Sequence, residues 1–161
     1  MLATLPDLDP DIIIFNAAWM YDRCNWSTTG AQDCPRKILG EIKSKAPRAR
    51  VVIIGPEIRW EPSLPKRLIS FIEENKQMPP KYLSAPPAWF VPEARKMEEP
   101  MRQIAKENGA TYIPPRDMIC EGERCLTRFG DRQEDLLIFD CGHLTSSGSK
   151  FLVSRIEKDI F

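Results

Sequence analysis

The sequence predicts an α/β fold, a three-layer α/β/α sandwich built around a parallel sheet, and three observations carry that expectation. Two short, continuous apolar runs, Asp11-Ile-Ile-Ile-Phe15 and Val51-Val-Ile-Ile54, have the composition of strands covered on both faces, as strands of parallel sheets are. Segments with helical spacing alternate with the extended ones, the order of a strand–helix–strand unit. Turn residues punctuate the alternation: Gly55-Pro56 after the second run, Gly109 after a helix, Pro114-Pro115 after a third strand.

Taken in order, the first strand follows a proline-containing lead-in. Pro35 to Lys45 carries Ile38, Leu39 and Ile42 at helical spacing, with Pro35 suited to a first turn. Val51 to Ile54 then completes a strand–helix–strand unit, for which a right-handed crossover is expected. Leu64 to Asn75 reads as a second helix, with Leu68, Ile69 and Ile72 on one face. Met78 to Pro92 is rich in proline and reads as an irregular excursion. Glu93 to Asn108 is a helix with Met97, Met101, Ile104 and Ala105 inward and Gly109 as its cap. Ala110 to Ile113 is a third strand. Residues 116–135 read as a polar loop, and Leu136 to Phe139 as a short extended segment. Ser147 to Phe161 is a final helix, with Leu152, Ile156 and Ile160 in line. No repeat and no linker divides the chain, so residues 1–161 are expected to form a single domain. Ligands of such sheets bind beyond the carboxyl ends of the strands, where Asn16 to Trp19, Gly55-Pro56, Pro114-Pro115 and Asp140 to His143 are expected to gather on one rim.

The bulk numbers exclude several classes. A chain of 161 residues, 42% apolar and 29% charged, is that of a globular domain. Lys+Arg and Asp+Glu both total 23, so no basic excess exists to draw nucleic acid or anionic lipid. The longest apolar run, Ile12 to Met20 with Asn16 inside it, is too short to span a bilayer. Residues 1–10 have neither the charged start nor the apolar core of a signal peptide, so export would have to be directed from upstream. Five cysteines are present. Cys24 and Cys34 flank a polar stretch and Cys120 and Cys125 bracket another; each pair can close a short loop in an oxidising compartment, or stay reduced. No Cys-x-x-Cys pair supports a zinc site, and no metal or other cofactor is expected.

The informative stretch is Asp140-Cys-Gly-His143-Leu-Thr-Ser-Ser-Gly148, leading into the last helix. A general-base histidine needs an acceptor on one ring nitrogen to fix its tautomer. An aspartate three residues earlier, in a turn eased by Gly142, can curl back to that nitrogen and leave the other facing outward. Thr145 or Ser147 can cap the helix that follows. Cys141 neighbours His143, but adjacent residues rarely face each other, so it is not read as a nucleophile.

This block resembles the last motif of SGNH hydrolases, and of these most closely the SGNH domain fused to membrane acyltransferase family 3 proteins, which O-acylate surface polysaccharides. Pro10-Asp-Ile-Ile-Ile-Phe-Asn-Ala-Ala-Trp19 is similar to that family's strand segment ending in tryptophan. Val51-Val-Ile-Ile-Gly-Pro56 is similar to its next strand and loop, and Cys120-x4-Cys125 to its paired cysteines. The likeness covers roughly residues 7–157 and implies an SGNH/flavodoxin-like sandwich. It also implies Asp140 and His143 as catalytic residues, Asn16 as a candidate oxyanion donor, and Trp19 as a rim residue able to stack on a sugar or to sit in the core.

The departure is at the start. An SGNH domain opens with a strand ending in Gly-Asp-Ser, whose serine attacks the acyl carbon. The only Gly-Asp here is Gly130-Asp131, followed by arginine. The sequence is therefore read as an N-terminally truncated SGNH domain, missing its N-terminal strands and inactive on its own. The resemblance implies acyl transfer or ester hydrolysis on a cell-surface polysaccharide, at the periplasmic or extracytoplasmic face of the inner membrane. Its partners would be a saccharide acceptor, an acyl donor and a membrane acyltransferase domain upstream, with no nucleic acid. Two other readings stay open: a non-catalytic remnant that binds glycan or a partner, and a stand-alone esterase.

Overall fold

A computed structural model describes residues 2–17, 33–56, 58–84 and 90–161. The chain forms two compact units, each assembled from two stretches: residues 1–56 with 95–114, and residues 57–94 with 115–161.

The first unit is the predicted α/β core. A short 3-10 turn, Leu2–Thr4, and a one-turn helix α1, Leu5–Leu8, precede β1, Ile12–Phe15. Helix α2 spans Asp33–Lys45 and leads to β2, Arg50–Ile54; helix α4, Phe90–Glu107, enters this unit at Arg95 and leads to β4, Thr111–Ile113. The strands form a parallel sheet in the order β1-β2-β4, with Ile13 opposite Val51, Phe15 opposite Ile53 and Ile53 opposite Tyr112. The pleat puts these residues on one face. They pack with Leu39 and Ile42 of α2 and with Met97, Met101, Ile104 and Ala105 of α4, whose i, i+4, i+7, i+8 spacing makes one stripe. Leu2 and Leu5 pack against the same cluster.

Local chemistry sets the ends of these elements. Gly109 has φ +63°, and the Ala110 and Gly109 amides donate back to the Ala105 and Lys106 carbonyls, so α4 closes in a Schellman motif. Gly55, just past β2, is packed under the Tyr112 ring, where a Cβ would lie 2.4 Å from the Tyr112 hydroxyl oxygen. One expectation fails in part. Apolar residues at every position of β1 predict cover on both faces, yet Ile14 is 48% exposed. Among the described residues β1 pairs with β2 alone and forms an edge of the sheet.

The second unit contains helix α3, Leu64–Asn75, strand β3, Tyr82–Ser84, helix α5, Pro115–Ile119, strands β5, Cys120–Glu121, and β6, Arg124–Leu126, and the terminal helix α6, Ser146–Ile160. Here the sequence reading needs correction. Residues 116–135, expected as a polar loop, hold α5, the β5–β6 hairpin and a 3-10 turn, Gln133–Asp135. The proline-rich excursion contains β3, which joins the hairpin in an antiparallel sheet of order β3-β6-β5. Gly122, with φ +62°, is the first central residue of the two-residue turn Gly122-Glu123, where a glycine relieves the steric conflict. Thr127 is fully buried, and its amide and hydroxyl both donate to the Lys81 carbonyl. The α3 face is also less covered than its periodicity predicts: Leu64 is buried, while Ile69 and Ile72 are exposed.

Candidate active site

The site is a turn in the second unit, tied down from three directions. Leu136 to Phe139 is extended, as expected, but it makes isolated antiparallel bridges, Leu136 to Arg128 and Ile138 to Leu144. The Phe139 amide donates to the His143 carbonyl at 3.0 Å, which closes the five residues 139–143 into a loop. From the other side, the Trp60 amide donates to the Cys141 carbonyl at 2.6 Å and the Leu64 amide to the Asp140 carbonyl at 3.1 Å. Trp60 and Leu64 are themselves fully buried, so this tether is anchored in packed side chains.

The third tie is the start of α6. Thr145 is its N-cap: the Thr145 Oγ1 accepts from the Gly148 amide at 2.8 Å and donates to the Leu136 carbonyl at 2.6 Å. One hydroxyl thus satisfies a helix terminus and holds the strand segment before the site. Gly148 lets the helix approach that closely, since a Cβ on it would lie 2.2 Å from the Leu137 carbonyl oxygen.

Within this frame Asp140 and His143 meet. The Asp140 Oδ1 accepts the backbone amides of Gly142 and His143, both at 2.8 Å, and Oδ2 lies 2.6 Å from His143 Nδ1. The Gly142 amide, the His143 amide and the His143 ring, in that order, hold the Asp140 carboxyl well below the usual carboxylate range. An ionised carboxylate only accepts, so Nδ1 is the protonated ring nitrogen. Nε2 then carries the lone pair, and it has no hydrogen-bond partner among the described residues. The His143 side chain is 77% exposed, so that nitrogen is accessible. Gly142 contributes space rather than an unusual backbone: it is not among the positive-φ residues, and a Cβ there would lie 3.3 Å from Arg59 Cγ.

The sequence-derived candidates divide clearly. The structure brings Asp140 and His143 together. It joins Cys120 and Cys125 in a disulfide across the paired positions of the hairpin, with Cα atoms 4.0 Å apart. Cys34 is also disulfide-bonded. Asn16 follows β1 in the first unit and is exposed. Trp19 and Cys24 lie outside the described residues. Cys141 is a free thiol, half-buried beside Asp140. Phe139 went unremarked in the sequence: its ring stacks on His143 with centroids 5.8 Å apart and planes 23° from parallel. No helix among the described residues is long and apolar enough to cross a membrane.

What this arrangement can do chemically is hold one imidazole nitrogen as donor and present the other as a base. Comparison with solved structures finds the same fold in the periplasmic domain of a lipopolysaccharide acetyltransferase from Salmonella ser. Paratyphi A, at a TM-score of 0.86 and 24% identity. The match covers 99% of this chain and 60% of that one, so the chain spans about 60% of the solved domain's length. No curated protein matches. The family model of the SGNH domain (fused to AT3 domains) matches residues 1–158, and the chain belongs to that family.

Proposed function

We propose that the chain supplies the histidine–aspartate half of an acyl-transfer site that acts on a cell-surface polysaccharide. The observation that carries this reading is the Asp140–His143 pair, with Nδ1 held and Nε2 open. In the proposed reaction His143 Nε2 takes the proton of a serine hydroxyl as that oxygen attacks the acyl carbonyl. The imidazolium, stabilised by Asp140, returns the proton to the departing group of the acyl donor. His143 then takes the proton of a saccharide hydroxyl, or of water, as that oxygen takes the acyl group, and hands the proton back to the departing serine oxygen, which restores the neutral imidazole. The 161 residues contain no Gly-Asp-Ser, so the serine is assigned to a segment outside them. Asn16 is proposed as one donor to the oxyanion, and Trp19 as a sugar-stacking residue.

The surroundings proposed for the reaction are extracytoplasmic, beside a membrane acyltransferase domain. The disulfides at Cys120–Cys125 and Cys34 support an oxidising compartment. So do the family's description as fused to AT3 domains and the periplasmic origin of the solved neighbour. A second reading is a glycan- or partner-binding module without chemistry.

Hydrolysis of p-nitrophenyl acetate separates the two. The 161-residue chain is expected to show background turnover only, since losing a single oxyanion donor alone typically costs about 100–1000-fold and here the nucleophile is absent as well. A longer version with a strand ending in Gly-Asp-Ser ahead of residue 1 is expected to hydrolyse the ester, and His143→Ala to abolish that activity. Turnover by the 161 residues that disappears with His143→Ala would place the nucleophile among them. A longer version that stays inactive would favour the binding module.

A further inference from the structure

We propose that Phe139 is a positioning residue for His143, fixing the plane of the imidazole that Asp140 fixes at one nitrogen. The proposal rests on His143 being the base of the site described above.

His143 lies on an exposed turn, where most of its ring faces solvent. One hydrogen bond at Nδ1 pins a single vertex and leaves the ring plane free to tilt about that contact. A proton acceptor has to present Nε2 in one direction to a hydroxyl, so the plane needs a second constraint. Phe139 stands where that constraint would be. Its ring stacks on the imidazole with centroids 5.8 Å apart and planes 23° from parallel, within the range over which aromatic rings attract. The two rings cannot drift apart by backbone motion alone. Phe139 N–H donates to the His143 carbonyl, and the Ile138–Leu144 bridge closes the loop immediately outside them. Asp140 and Phe139 therefore act on the same ring by different contacts, one at Nδ1 and one by ring stacking.

The His143 side chain stays 77% exposed beside Phe139, so the contact can set the ring without shutting it off from a hydroxyl. Phe139 in this role touches neither a reacting atom nor a carboxylate, and acts only through His143.

The chain has one histidine, so its imidazole signals can be assigned without ambiguity. Proton–nitrogen spectra of the ring would be compared for the 161-residue protein, Phe139→Ala, Phe139→Leu and Phe139→Tyr. In the parent the ring protons are expected upfield of free histidine, and Nδ1 to carry the proton. Phe139→Ala should remove the ring-current displacement and raise the population of rings released from Asp140, seen as the Nε2–H tautomer, by roughly two- to tenfold, the factor an aromatic stack supplies. Phe139→Leu keeps bulk and should behave as Phe139→Ala; Phe139→Tyr should restore the parent spectrum. If Phe139→Ala does not fold, the leucine and tyrosine variants decide alone, because both preserve the apolar volume. Identical tautomer populations in the tyrosine and leucine variants would overturn the proposal. The spectra read ring position without any turnover, so a failure of the acyl-transfer reading would show in the ester assay and leave this result standing.

Discussion

Both units of the chain bury an apolar core, and they differ in what fastens the polar segments around it. The first is held by burial: strands β1, β2 and β4 offer one apolar face, and α2 and α4 cover it with side chains that meet at fixed periodicity. The second buries an apolar core as well, with Trp60, Leu64, Leu137, Ile138, Leu152 and Ile156 inside it, and its site segment is fastened in addition by directed links. A disulfide closes its hairpin, one threonine hydroxyl joins α6 to the Leu136 carbonyl, and amides of Trp60 and Leu64 fasten the turn at 140–141. The candidate chemistry lies in the second. A turn proposed to bear a base has to keep polar groups at a solvent-facing surface, and burial alone cannot orient such groups; hydrogen bonds of defined direction can.

That contrast can be broken by truncating side chains that only fill space. Met101→Ala in the first unit removes a fully buried side chain from the centre of the cluster and is expected to cost about 2–5 kcal/mol. Ile72→Ala on the exposed face of α3 should cost well under about 1 kcal/mol. Denaturant titration of both variants checks the pair. Equal losses would mean that the Ile72 face of α3 is covered in solution.

The same division explains what the sequence made legible. Periodicity reports burial, so the parallel strands, α2, α4 and α6 were readable within a few residues. The Asp140–His143 pair was readable because its partners are three residues apart and the contact is local. The β5–β6 hairpin was missed as a loop, although Gly122-Glu123 between Cys120 and Cys125 is a two-residue turn signal in plain view. The strand β3 and the tether from Trp60 and Leu64 had no such signal. They depend on pairing across about 40 residues in one case and nearly 80 in the other, and nothing local in Tyr82–Ser84 or Trp60 reports a distant backbone partner. The apolar run at β1 has the composition of a strand covered on both faces, and a reading in which the N-terminal strands are missing leaves it at an edge, where it pairs with β2 alone among the described residues.

Two glycines sharpen the comparison at smaller scale. Gly148 in the second unit sits where a Cβ would meet the Leu137 carbonyl, while Gly40 in α2 has nothing within 4 Å of that position. Gly148→Ala should therefore destabilise by about 1–3 kcal/mol, the usual cost of overpacking. It should also loosen the Thr145 cap and the segment leading to Asp140. Gly40→Ala should stabilise by about 0.5–1 kcal/mol, by removing backbone freedom from the unfolded chain and adding a helix former. Melting temperatures moving in opposite directions are the expected outcome. A neutral Gly148→Ala would show that α6 can withdraw from Leu137 at no cost.

The smallest effect tests whether polar links hold the turn in the way the geometry indicates. The Asp140 carboxyl is held below its ordinary range by two backbone amides and the His143 ring. A carboxyl whose folded value is depressed contributes stability that is fully present above its unfolded value, about 3.9, and is lost as the pH falls through the lower folded value. Asp140→Asn removes that contribution, so the stability gap between parent and variant should narrow as the pH falls below about 4. The variant also tests orientation. Its amide oxygen can still accept from Gly142 and His143, but its NH2 group would then face Nδ1, which must become the acceptor. The proton moves to Nε2, and the nitrogen that should receive a hydroxyl proton becomes a donor. Spectra of the sole histidine should show that exchange of tautomers in an otherwise folded protein. A variant with its Nδ1–H tautomer intact would mean that something other than Asp140 sets the imidazole, and a stability gap that stays constant through acid would mean that the carboxylate contributes nothing to the turn whose amides it accepts.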